Sequence, residues 1–106
     1  MIVALSISPS GPPLDGATAP GAGVSEAVAE AIGVIRASGL PCETNAMFTN
    51  IEGEWDEVMA VVKQAVDVVA TPYPRVGIVL KADIRPGHEG QLTAKVERVE
   101  EHLRER

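Results

Sequence analysis

The spacing of apolar residues switches between strand-like and helix-like periods along the chain, and each switch predicts an element. From Ile2 to Ser8, Val3, Leu5 and Ile7 share one face and Ser6 and Ser8 the other, the pattern of a strand. Pro9 is expected to stop it. The stretch from Pro9 to Gly23 is dense in proline and glycine and predicts a flexible loop of about fifteen residues, either a flap over a site or a disordered segment. Ser25 is placed to cap a helix with Glu26 in its first turn. Val28, Ala31, Ile32 and Ile35 form its apolar face, and Gly39 and Pro41 end it. Pro41 to Glu52 reads as two short extended runs. Cys42, Thr44 and Ala46 oppose Glu43, Asn45 and Met47; Thr49 and Ile51 then oppose Phe48, Asn50 and Glu52. No glycine or proline marks a turn between them, so a hairpin and one bent strand both remain open.

A second helix is predicted over Glu54 to Ala70. Acidic residues sit in its first turn, and Val58, Val61, Val62, Ala65 and Val69 form its stripe. Val76 to Ile84 alternates again, with Val76, Ile78, Leu80 and Ala82 against Gly77, Val79, Lys81 and Asp83. After a turn over Arg85 to Gly90, Thr93 is positioned to cap a last helix with a narrow seam of Val96, Val99 and Leu103. The order β-α-β-β-α-β plus a terminal helix is that of an α+β, ferredoxin-like sandwich: one antiparallel sheet with both main helices on one face. The other face needs a cover, supplied by the terminal helix or a second subunit, because Ile2, Met47 and Val79 are expected on it.

At 106 residues the chain has room for one domain. Aromatics make up only 3 %, so the core is built from aliphatics, and Trp55 reads as a packing anchor in the first turn of its helix. The formal charge of −6 and the lack of any Lys/Arg cluster argue against nucleic acid. One cysteine excludes an internal disulfide and suggests a reducing, cytoplasmic setting. No run approaches a membrane span.

Candidates for catalysis are few. His88 and His102 read as solvated surface, neither having the spacing of a metal site. Cys42 heads a core-facing run and reads as a small hydrophobe. The loop from Ser8 to Gly23 holds no Arg or Lys, so the phosphoryl clamp that an acylphosphatase needs on this fold is missing. Strand parity instead gathers Ser6, Ser8, Asn45, Lys81 and Asp83 on one sheet face, with Asn50 and Glu52 joining them if the central segment is a hairpin. A few hydroxyls, amides and carboxylates over an apolar floor suit a small-molecule site. They equally suit a solvated face or a subunit interface.

The run Asn45-Ala46-Met47-Phe48-Thr49-Asn50-Ile51-Glu52-Gly53-Glu54-Trp55-Asp56-Glu57-Val58-Met59 resembles the signature of the thiamine-binding protein family. Ile2-Val3-Ala4, Val24-Ser25-Glu26, Ser38-Gly39-Leu40, Asp83-Ile84-Arg85 and Lys95 to Glu100 fit it as well. Asn45-Ala46 stands where the family commonly has Thr-Pro, and Phe48 where it commonly has Gly. The resemblance implies a ferredoxin-like fold, binding of thiamine or its hydroxymethylpyrimidine half, assembly into dimers or tetramers through the sheets, and no catalysis or cofactor. Met47, Thr49, Ile51, Glu52 and Gly53 carry over directly. The residues present suit such a ligand. Asn45 or Asn50 can pair with an aminopyrimidine, Thr49 or Ser6 can add a hydroxyl, and Glu52 or Asp83 can attract a thiazolium. Phe48 or Trp55 offers a cation–π face. Glu52 also reads as helix-terminal chemistry beside Gly53. The expected function is therefore a carrier or sensor. The alternative is an interaction module that uses its open sheet face for oligomer or partner contacts.

Overall fold

In the computed structural model the described residues are 1–12 and 22–105. Their elements follow in the order β1 (Ile2–Ser10), α1 (Ala22–Ala37), β2 (Cys42–Thr44), β3 (Thr49–Glu52), α2 (Trp55–Ala70), β4 (Arg75–Asp83) and α3 (Gln91–Arg104). The strands form one antiparallel sheet in the order β2-β3-β1-β4, with β1 in the middle. This is the ferredoxin-like arrangement, and the central segment is a hairpin.

The register settles which side chains share a face, because residues directly opposite each other project to the same side. Val3, Leu5 and Ile51 are buried together with Ala27, Ala31 and Ile35 of α1 and Val58, Val61, Val62, Ala65 and Val69 of α2. Each fully buried aliphatic side chain contributes about 1.5–3 kcal/mol. The α2 stripe is the one its periodicity predicts. Tyr73, just past α2, is the aromatic of this core at 5 % exposure. Trp55 is instead 54 % exposed at the start of α2, so it is not a packing anchor.

Three boundaries differ from expectation. β1 continues through Pro9 to Ser10, because β3 pairs only with Ile2 to Leu5 and the rest of β1 has one free edge. A proline is tolerated on such a stretch. The expected loop over 9–23 is therefore shorter, with Ala22 and Gly23 already helical; its stretch 13–21 lies outside the described residues. Ser25 consequently falls inside α1 rather than at its cap. Finally, α3 begins at Gln91 behind Gly90, not at Thr93. Gly90 has φ 67°, a left-handed conformation suited to glycine.

On the face away from α1 and α2 lie Ile2, Ala4, Ser6, Ser8, Asn50, Glu52, Val79, Lys81 and Asp83. α3 does not cover it. None of its side chains is buried, and Val96, Val99 and Leu103 are all more than half exposed.

Candidate functional site

The signature residues lie where β2 turns into β3. Asn45 organises that turn. Its backbone N–H donates to the Phe48 carbonyl at 2.9 Å, and its side-chain Oδ1 accepts from the N–H groups of Met47 and Phe48, each at 2.9 Å. This use of an asparagine oxygen replaces the glycine or proline that the turn lacks. Past the turn, Thr49 is buried at 6 % exposure, and its hydroxyl meets that of Thr44 across the hairpin at 3.2 Å.

Between this turn, α1 and β1 is a cavity of about 210 Å³. Leu5, Ala31 and Ile35 form its apolar floor, Val28, Ile32 and Ile7 its walls, and Phe48 and Met47 flank it. Thr44, Asn45 and Thr49 supply its polar side chains; Ser6 adjoins it, but the Ser6 side chain projects to the other face of the sheet. Among the described residues none that lines it is titratable. Val28, Ala31 and Ile32 read in the sequence only as a core face. What marks Val28 and Ile32 is that they stay half-buried while Ala31 and Ile35 are fully covered.

The polar set expected on one sheet face divides. Asn45 is not on that face: its side chain closes a turn beyond the strands. Met47 is likewise at the turn, 72 % exposed. Thr49 faces the helices. Ser6, Ser8, Asn50, Glu52, Lys81 and Asp83 do share the open face, but they do not converge. Asn50 Nδ2 donates to Glu43 Oε1 at 3.2 Å. Asp83 pairs with Lys95 at 2.5 Å, and the Lys95 hydrogen bond, followed by its charge, holds the Asp83 carboxyl below its ordinary value. Glu52, only 7 % exposed, accepts from the backbone N–H groups of Gln91 at 2.8 Å and Leu92 at 3.1 Å. It is a helix cap, but for α3 rather than for α2. The first turn of α2 is served by Glu57, which accepts from the Glu54 N–H at 3.3 Å.

A second hollow of about 220 Å³ lies at the start of α3, lined by Ile2, Glu52, Asp83, Arg85, His88, Lys95 and Arg98 among others. There Lys95 pairs with Asp83, Glu52 holds the two backbone N–H groups, and Arg98 donates to Gln91 Oε1 at 3.0 Å. Among the described residues no group of three or more His, Cys, Asp or Glu side chains is placed to hold a metal ion, and no helix is long and apolar enough to cross a membrane.

A ferredoxin-like domain with an apolar, hydroxyl-rimmed cavity at its central hairpin defines a class of small α+β proteins, and the sequence comparisons narrow it. The chain belongs to the thiamine-binding protein family, whose model matches residues 3–100. It is 51 % identical to a UPF0045 protein of Mycobacterium bovis over 104 residues, covering 97 % of this chain and 94 % of the relative. A solved structure of a hypothetical protein from Methanocaldococcus jannaschii has a TM-score of 0.77 at 35 % identity and covers 94 % of this chain and 95 % of its own. A Thermotoga maritima protein, named for a proposed role in thiamine biosynthesis or salvage, superposes with a TM-score of 0.70 at 21 % identity, covering 91 % and 96 %. That last likeness is one of fold.

Proposed function

We propose that this protein binds thiamine, or its hydroxymethylpyrimidine half, in the cavity at the β2–β3 turn, as a carrier or sensor and without catalysing a reaction. The observation that supports this reading is the coincidence of the cavity with the family's signature: Met47 and Thr49, which fit the motif, line the space, as do Asn45 and Phe48, which depart from it. Size favours the smaller ligand. Pockets for drug-sized molecules run from about 300 to 1,000 Å³, so 210 Å³ suits one pyrimidine ring better than both rings of thiamine. The rim hydroxyls of Thr44 and Thr49 can donate or accept, as an aminopyrimidine requires, and Phe48 offers a stacking face. The lining side chains among the described residues are apolar groups, hydroxyls and an amide, which suit binding of a neutral ring. The net charge of −6 is compatible with a cationic thiazolium outside the cavity.

Self-association belongs to the same reading. The open sheet face, with Val79 60 % exposed, and the uncovered stripe of α3 are apolar surfaces that a second copy would remove from water. A cytoplasmic setting is the reading that the single cysteine supports.

Calorimetric titration with hydroxymethylpyrimidine and with thiamine tests the proposal. Saturable binding at about 10 µM or tighter is expected. Thr49→Val, which removes the hydroxyl and keeps the shape, should weaken it roughly fivefold to tenfold. Asn50→Ala, on the opposite face of the sheet, should leave it unchanged. No heat and no thermal shift with either compound, or equal effects of the two substitutions, would overturn the assignment.

A further inference from the structure

The hollow of about 220 Å³ at the start of α3 shares no lining residue with the cavity at the β2–β3 turn. Its floor is one row across three strands: Ile2 of β1 stands opposite Glu52 of β3 on one side and Asp83 of β4 on the other. The turn after β4 brings Arg85 and His88 to the rim. The His88 N–H donates to the Arg85 carbonyl at 3.2 Å, and Gly87 and Gly90 fold the chain back with φ of 79° and 67°. Along α3, Gln91, Lys95 and Arg98 recur at helical spacing, so one face of the helix closes the remaining side. Glu97, Glu100 and Glu101 of the same helix do not line the hollow.

Both carboxylates of the hollow are engaged. The two oxygens of Glu52 accept from the N–H groups of Gln91 and Leu92, so the start of α3 already has its anion. Asp83 pairs with Lys95. Arg85 and Arg98, by contrast, form no ion pair among the described residues, and the one side-chain acceptor of Arg98 is the neutral Gln91 amide. A chain of net charge −6 thus gathers two guanidinium groups without a carboxylate partner around one small space. Against Glu52 and Asp83, the three side chains Arg85, Lys95 and Arg98 leave one positive charge in excess before His88 adds any. We propose that this hollow binds a phosphate group between Arg85 and Arg98, as free orthophosphate or as the phosphate of a small ester. The two guanidinium forks come from different elements, the turn and the helix. A tetrahedral anion can offer separate oxygens to both, which a planar carboxylate with two oxygens on one edge does less well.

Because the two sites share no residue, this inference stands whether or not the cavity takes a pyrimidine. Its test is an amide NMR titration of the full chain with sodium phosphate and with glycerol phosphate, at constant ionic strength. Saturable shifts at Arg85, His88, Gln91 and Arg98 are expected, half-complete at about 1 mM. Arg85→Gln and Arg98→Gln should each raise that concentration about tenfold. Arg36→Gln, in the last turn of α1, should leave it unchanged. Tighter binding of the ester would assign the site to a phosphorylated small molecule, and equal binding to the phosphate group alone. Should an arginine variant fail to fold, the map of shifts in the wild type decides. Shifts that never saturate, that sodium chloride or acetate reproduces, or that Arg36→Gln weakens as much as Arg98→Gln would overturn the proposal.

Discussion

Glu52 is where three elements meet. Its backbone pairs β3 with β1 at Ile2, and its side chain closes the start of α3 by accepting two N–H groups. Those donors have no partner within their own helix. Glu52→Ala should therefore destabilise the protein by about 1–2 kcal/mol, read by chemical denaturation, with faster amide exchange at Gln91 and Leu92. Glu52→Gln keeps one good acceptor and should lose less. Gly53 beside it is needed for space rather than for its backbone conformation. Its φ is not among the positive ones, so the turn does not demand glycine. A Cβ there would instead meet Val58 Cγ2 at 3.1 Å and Leu40 Cδ2 at 3.3 Å. Gly53→Ala should cost roughly 1–3 kcal/mol by forcing those side chains apart, again measured by denaturant unfolding. Both roles were hidden in the sequence. The partners of Glu52 lie 39 and 40 positions away, so reading it as chemistry of the adjacent helix is what local pattern allows.

At the scale of elements, α3 is held at its start and free along its length. Apart from Glu52, its tie to the sheet is the Lys95–Asp83 pair, whose partners are about half exposed. The Lys95 hydrogen bond, then its charge, lowers the Asp83 carboxyl from the ordinary 3.8. A lowered folded value means that, as pH falls, the unfolded chain takes up the proton first. The contribution of the pair is thus complete above the ordinary value and is lost as pH drops through the lower folded value. Lys95→Met should return Asp83 to its ordinary titration, followed by NMR of the carboxyl carbon. Little change in melting temperature at neutral pH is expected, since exposed pairs contribute little. Elements whose signal is a local period were legible: the α2 stripe from Val58 to Val69 and the alternation of β1 and β4 are as the spacing predicts. Boundaries set by tertiary neighbours were not. β1 outruns Pro9 because β3 is short, and α3 starts early because a distant carboxylate caps it. The candidate site was legible in its residues and not in its assembly. Asn45 and Thr49 were singled out, yet parity placed Asn45 on the open face, because a turn without glycine or proline gave no sign of where the strand ended.

The whole molecule is long for its size, with a radius of gyration of 16.0 Å and extents of 55 × 31 × 20 Å, against about 13 Å for a compact domain of 100 residues. α3 contributes no buried side chain. Yet α3 is amphipathic, and Val96, Val99 and Leu103 are each more than half exposed. As an isolated chain it would leave about 1.5–3 kcal/mol per side chain unrealised, facing water beside a sheet whose outer face is also uncovered. A second copy that brought these surfaces together, as the self-association proposed above requires, would remove both from water. The triple substitution Val96→Ser, Val99→Ser and Leu103→Ser should therefore lower the mass of the assembly in sedimentation. It should leave the denaturation of the separated subunit nearly unchanged, because no core contact is lost. A triple variant with the wild-type mass at every concentration would show that α3 has no part in assembly, and the open face would then need another cover.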